Sequence, residues 1–282
     1  MKLVIDSNRL QSEELLNFLA RSKSNVAVVT DYVAMEAYKG NTLDSIFKSM
    51  KVLASFPAQV VVLKGTRAVC GLRGRDAGLQ RRLIDEAQTK EFPVYIKHLE
   101  QARHGNAHLR QQLLDLGLEA TSHFDRLLDD AKSTGEVIKD IATLYSKEER
   151  ATIRKGEIPP QETVDKIVKN VMTIAAQLFG SHPNAGRFPS YMELRNTYIF
   201  RASLCTYLLV LDWISVGGAD KATAKRLRND FVDMHFAAYA TYFDGLMSDD
   251  RKTAKLHAEA RVWLMALFDC RLPSGVGYGC VT

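Results

Sequence analysis

A chain of 282 residues, 46% hydrophobic and 25% charged with 17 Gly and 7 Pro, is long and apolar enough to bury a full core, and no disordered, collagenous or low-complexity segment stands out. No uninterrupted apolar run reaches the roughly 18–20 residues that span a bilayer, so a cytoplasmic protein without a membrane segment is expected. The net charge of +5 accommodates a polyanionic partner without requiring one, and four cysteines at 70, 205, 270 and 280 form no CxxC pair, which fits a reducing compartment.

Lys2-Leu3-Val4-Ile5 is a short apolar run that breaks at Asp6-Ser7-Asn8, after which Leu10, Leu15, Leu16 and Leu19 recur at helical spacing. The pattern predicts strand, turn and helix. Val26-Ala27-Val28-Val29 predicts a second strand, closed by Thr30-Asp31, whose side chains suit the cap of a helix through Met35 and Glu36. A helix over 43–56 stops at Pro57, and 59–63 predicts a third strand. Strands separated by helical crossovers imply parallel pairing.

From about residue 76 to 186 helical patterns dominate, divided by breaks at 156–160 and 181–186, and no strand is expected. Beyond them, 191–216 predicts one long apolar helix stopped by Gly217-Gly218, and 221–242 another, leading into a short strand at Asp244-Gly245-Leu246-Met247. The polar turn Ser248-Asp249-Asp250 and a last helix over 251–268 precede a glycine-rich tail from Pro273. The expected architecture is an α/β domain of about four to five parallel strands built from 1–75 and 187–282, interrupted by a helical insertion or lid over 76–186.

In an open parallel sheet the functional crevice lies beyond the carboxyl ends of the strands. Asp6 and Ser248-Asp249-Asp250 each follow a strand-like run, and Glu36 lies on the helix after the second strand. Asp230 and Asp233 share a helix face three residues apart on the helix that feeds the last strand. Acids drawn together this way repel one another and raise one another's pKa unless a cation neutralises them. Carboxylate oxygens at that density suit Mg²⁺ or Mn²⁺, which activate water and stabilise the leaving oxygen in phosphodiester hydrolysis. Against this stands the commoner role of a single Asp after a strand, as a turn former or helix cap, and that role is assigned to Asp31 and Asp220. Asp212 is expected to be structural or solvated.

Four segments, taken in order, resemble the PIN domain family of ribonucleases. They are Val4-Ile5-Asp6-Ser7-Asn8; Thr30-Asp31-Tyr32-Val33-Ala34-Met35-Glu36; Asp233 followed by Ala237, Ala238 and Ala240; and Gly245-Leu246-Met247-Ser248-Asp249-Asp250. The resemblance covers residues 1 to about 70 and about 190 to 255. It implies a PIN-like sheet and a metal-dependent endoribonuclease in which Asp6, Glu36, Asp233 and Asp250 hold Mg²⁺ or Mn²⁺. Asp230 and Asp249 are neighbouring acids that serve as further or substitute ligands, and Asn8 and Ser248 are orienting groups. The helical middle exceeds the family's usual size and offers a surface for a protein partner or a second copy.

Cations are needed to hold the flanking phosphates, and the candidates for substrate binding are Arg9, Arg67, Arg195, Arg201 and Arg251, with Lys64, Arg73, Arg75, Arg81, Arg82 and Lys252 near them in sequence. Arg195 and Arg201, embedded in an apolar helix, call for an anionic partner, either the acids or an RNA phosphate. His98, His104, His108 and His123 are dense but match no zinc spacing and are read as solvated, with His235 structural. No dinucleotide-binding glycine pattern, phosphate loop or nucleophile elbow is present. Two other readings stand beside the ribonuclease: a PIN-like RNA- or protein-binding module without catalysis, and a structure-specific DNA nuclease.

Overall fold

The computed structural model describes residues 1–39, 42–155, 157, 159–183, 188–215 and 223–273, without the side chains of 128–139. The chain begins with strand β1 (Lys2–Ile5) and a short 3-10 turn over Ser7–Arg9, followed by α1 (Glu13–Arg21), β2 (Val26–Val29), α2 (Asp31–Tyr38) and α3 (Leu43–Ser55). Next come β3 (Val60–Val62), α4 (Thr66–Cys70), α5 (Leu79–Leu83), α6 (Glu86–Arg103), α7 (Ala107–Thr143), α8 (Lys147–Lys155) and α9 (Gln161–Ser181). The last elements are α10 (Tyr191–Leu194), α11 (Tyr198–Ser215), α12 (Ala224–Ala240), β4 (Gly245–Met247) and α13 (Arg251–Phe268).

Local chemistry accounts for the helix starts. Ser12 accepts from Leu15 N to open α1, Thr30 from Val33 N for α2, Asn106 from Leu109 N for α7 and Thr223 from Arg226 N for α12. Each side chain satisfies one of the amide groups that a helix start leaves unpaired. Thr30, not Asp31, is therefore the cap of α2. Asp31 instead accepts from Thr66 N and Thr66 Oγ1, serving the first turn of α4 and tying it to the end of β2.

The four strands form one parallel sheet in the order β3-β2-β1-β4. β1 lies inside, and Leu3, Val4 and Ile5 are fully buried, as expected for a parallel sheet covered by helices on both faces. The register pairs Val4 with Val28 and with Leu246, so Asp6, Thr30 and Ser248 all leave the sheet at the same edge. The antiparallel bridge from Leu63 to Ile84 is the one strand-like contact of the middle segment among the described residues.

Residues 76–186 share the core of the sheet. Phe92 and Ile96 of α6, Leu113 and Phe124 of α7, and Ile167 and Val171 of α9 belong to one buried cluster with the strands. α7 packs on α2, α6 and α12, while α9 lies along α11.

The single helix expected over 191–216 is interrupted. Asn196 turns its amide to Gly74 O and Asp76 Oδ1, and Thr197 accepts from Phe200 N, so residues 195–197 serve tertiary partners and a new helix start. Gly74 is required where it stands: a Cβ there would lie 2.3 Å from Glu193 O. α11 has the length and apolarity of a membrane-crossing helix, contrary to the reading of its sequence, but 83% of that window is buried inside the fold. The breaks at Gly156, 184–186 and Gly217-Gly218, the Asp220 cap, Cys280 and the tail after Pro273 lie outside the described residues.

Truncating Ile5 to Ala, at the carboxyl end of the inner strand, should lower the urea-unfolding free energy by about 2–5 kcal/mol. The same truncation at Leu118, 56% exposed on α7, should stay within about 0.5 kcal/mol.

Candidate metal centre

The carboxyl edge of β1 and β4 gathers polar groups in a defined network. Asp6 is 2% exposed, and its Oδ2 accepts from Ser248 Oγ at 2.5 Å and from Asn8 Nδ2 at 2.8 Å. Asn8 closes the loop onto the other strand by accepting from Asp249 N at 3.1 Å, while Ser248 Oγ accepts from Asp250 N at 3.0 Å. Asn8 and Ser248 thus hold the two turns against each other and orient Asp6. Glu36 reaches the same place from α2, where its Oε2 takes the hydroxyl of Ser7 and its Oε1 an ion pair with Lys39 at 2.6 Å.

Asp233 arrives from α12. Among the described residues it has no hydrogen-bond donor and no basic partner. Burial, followed by the charges of Asp6, Asp250, Glu36 and Asp230, pushes its pKa up to about 8. Asp6 is raised by burial, and the charges of Glu36 and Asp250 add to that against the lowering effect of its Ser248 and Asn8 donors. These mutual influences bring Asp6, Glu36, Asp233 and Asp250 into one electrostatic neighbourhood, joined by Asp230.

The remaining acids have their own partners. Asp230, 8% exposed, pairs with Lys252 at 2.6 Å. Asp250 caps α13, its Oδ1 accepting from Lys252 N at 2.7 Å and Thr253 N at 3.1 Å, so the helix-cap role weighed for such residues applies to it. Asp249 projects toward solvent and pairs with Arg9 at 2.7 Å; Arg9 also holds Glu14. Asp212 pairs with Lys255 at 2.9 Å, away from the other acids in its bonding.

With the side chains in these positions, no three Asp, Glu, His or Cys groups among the described residues are arranged to hold a metal ion. The fit to a divalent cation rests instead on donor type and charge. The groups are hard carboxylate oxygens, and one of them is a buried acid surrounded by acids and left without a cation of its own.

The candidate substrate-binding arginines fall into two groups. Arg9 lies at the acidic edge, Arg251 opens α13 just past Asp250, and Arg67 stands exposed on α4, which follows the carboxyl end of β3. Arg195 and Arg201 are elsewhere: Arg195 pairs with Asp76 at 3.1 Å, and Arg201 bonds Arg195 O and Thr241 Oγ1, near the amino ends of the strands. The expected carboxylate partner of Arg201 is not found: no acid among the described residues pairs with it.

His98, His104 and His108 are exposed, as expected of solvated positions. His123 is half-buried, and His235 is internal, bonding the hydroxyl of Tyr198 at 2.6 Å and stacking on Tyr32. Sequence reasoning passed over Ser7 and Lys39, which engage Glu36. Lys39 stands three residues after Glu36 on one helix, a spacing that brings opposite charges together and was legible. No family model, no curated protein and no solved structure matches this chain.

The raised pKa of Asp233 sets a direction for stability. The unfolded chain releases this proton near pH 4 and the folded one near 8, so folding is penalised increasingly as pH rises between those values and fully above 8. In a chelating buffer, Asp233→Asn should therefore stabilise the protein at pH 8 in chemical denaturation. The gain should shrink to nothing near pH 4.

Proposed function

We propose that the chain is a PIN-like nuclease that binds Mg²⁺ or Mn²⁺ at its acidic edge and hydrolyses RNA phosphodiester bonds. The observation that carries this reading is Asp233: a mostly buried carboxyl with four acidic neighbours and no basic partner among the described residues. A divalent cation is the species that would relieve that repulsion.

Asp6, Glu36 and Asp233 would hold the ion, with Asp250 contributing the oxygen not used in capping α13 and Asp230 standing behind Asp233. When bound, the ion supplies Lewis acidity and charge neutralisation for in-line displacement at phosphorus. The chain's own groups do the rest. Ser248 and Asn8 fix the orientation of Asp6 by donating to a single oxygen, and Ser7 does the same for Glu36. Exposed Arg251, and Arg9 on release from Glu14 and Asp249, would contact phosphates near the cut, and Lys39 and Lys252 would moderate the negative field at its margins.

A binding module without catalysis is the second reading, favoured by the ion pairs that already engage Glu36 and Asp230 and by the lack of a ready-formed ion cage among the described residues. Calorimetric titration with Mn²⁺ separates the two. Saturable binding that disappears in both Asp6→Asn and Asp233→Asn supports the nuclease; no binding by the native chain supports the module. Single-stranded RNA, DNA and flap substrates digested side by side should show metal-supported cleavage with RNA preferred, abolished by either Asn substitution. Ser248→Ala, which frees the orientation of Asp6, should reduce cleavage by about 10- to 100-fold.

A further inference from the structure

Arg201 is 3% exposed, so its guanidinium is enclosed by the fold. Its Nε donates to Arg195 O at 2.6 Å and its Nη1 to Thr241 Oγ1 at 2.9 Å, and its plane lies 3.6 Å from the centre of the Tyr242 ring. All three partners are neutral. Among the described residues no carboxylate pairs with it, and its hydrogen bonds to protein are those from Nε and Nη1. A buried charge in this condition is unfavourable unless an anion completes it. Burial lowers its pKa, with Tyr242, Cys270 and Cys205 acting against that and the Arg261 guanidinium adding to it.

Arg201 lines a cavity of about 840 Å³ together with Lys2, Arg81, Arg195 and Arg271. Asp76 and Asp269 are the acids that line it, and Asp76 is already engaged by Arg195 and Asn196. Arg81 pairs with Glu86 and Arg195 with Asp76, so Lys2, Arg201 and Arg271 against Asp269 leave the wall net positive. Its place in the fold separates it from the acidic edge: Lys2 opens β1, and Thr241 and Tyr242 lead into β4, so the cavity lies at the amino ends of strands whose carboxyl ends carry Asp6 and Ser248.

We propose that this cavity binds a phosphate-type oxyanion through the guanidinium groups of Arg201 and Arg195, either as free phosphate or as the terminal phosphate of a nucleotide chain. Arg201 offers the guanidinium donors not turned to Arg195 O and Thr241 Oγ1, and Arg195 those not turned to Asp76, and the excess of basic side chains favours an anion between them. The assignment stands independently of the nuclease reading, because it uses none of the acidic residues.

The test is calorimetric titration of the full chain with inorganic phosphate at constant ionic strength and in chelator, so that no divalent ion contributes. The native chain should bind saturably. Arg201→Lys keeps the charge but loses the fork, and should weaken binding by roughly tenfold. Arg195→Gln changes a more exposed position, so it serves if the first variant fails to fold, and should weaken binding severalfold. Asp233→Asn should bind phosphate as the native chain does. An oligoribonucleotide with a 5′-phosphate is then compared with the same oligomer lacking it: a preference for the phosphorylated form that is lost in Arg195→Gln assigns the site to a nucleotide terminus. Equal binding of the two, with phosphate binding retained, assigns it to the free anion. Failure of the native chain to bind phosphate, or binding that neither arginine substitution weakens, overturns the proposal.

Discussion

Val4 pairs with Val28 on one side and with Leu246 on the other, and the parallel direction of both ladders governs everything at the sheet's edges. Because the strands run the same way, the turns that follow β1, β2 and β4 emerge together, although some 240 residues separate Asp6 from Ser248 in the chain. The hydrogen bonds from Ser248 and Asn8 to Asp6 then lock the two turns at side-chain level. A strand paired antiparallel at either position would send Ser248 or Thr30 to the opposite edge and leave Asp6 alone. Apolar burial of β1 on both faces is what enforces this arrangement, since Leu3, Val4 and Ile5 have no exposed alternative.

The same polarity gives the molecule two chemically opposite ends. The carboxyl edge holds acids whose charges add to burial in raising the pKa of Asp6 and Asp233, and the amino edge holds a guanidinium with neutral partners. Helix ends contribute to the difference. α12 finishes at Thr241, whose hydroxyl meets Arg201, so the negative end of that helix's dipole faces the enclosed cation. α13 starts at Asp250, so the positive end of its dipole faces a carboxylate. α12 thus presents Asp233 to one edge and its carbonyl terminus to the other, and packs against both β1 and β4. Any change that displaces this helix would disturb both ends at once.

Much of this organisation was legible in the sequence because it depends on local signals. The strand runs 2–5, 26–29 and 245–247 are short, apolar and bounded by polar turns, and the cap Thr30 stands just before apolar periodicity, whereas Ser12 and Thr223 were not picked out as caps. The interruption at 195–197 was not legible. Its cause is tertiary: Asn196 bonds Gly74 and Asp76, more than 100 residues earlier, and nothing in the surrounding apolar pattern announces that partner. The roles of Asp31 and Asp250 show a related limit. Both were recognised as acids at strand ends, but whether such a residue caps its own helix, a neighbour's helix or joins a cluster depends on which amides lie opposite it. Arg201 was legible as a buried cation, but its partners, Arg195 O, Thr241 Oγ1 and the Tyr242 ring, are neutral rather than the expected acids, and the edge of the sheet to which it belongs follows only from the path of α11.

The lysines at the acidic edge bear on how the cluster tolerates its charge. Lys39 and Lys252 each neutralise one acid, Glu36 and Asp230, and Lys252 also lies over the Trp213 ring, which favours a fixed position for its ammonium. Neither lysine engages Asp233 or Asp6. The net effect is graded: acids at the margin are compensated by the chain itself, while the two most central ones are left with hydroxyl and amide donors or with none. Lys39 is largely exposed whereas Lys252 and Asp230 are mostly buried, so the two pairs differ in strength. Their positions matter more than their strength, because a basic group moved inward by one helical turn would neutralise Asp233, the carboxyl on which the proposed metal site rests. That inward position is empty of lysine and arginine on α12 itself, where Asn229, Phe231, Val232, Met234 and Phe236 surround the acids. Among the described acids of this edge, Asp233 is the carboxyl left with neither a hydrogen-bond donor nor a basic partner, whereas Asp6 keeps the neutral donors Ser248 and Asn8.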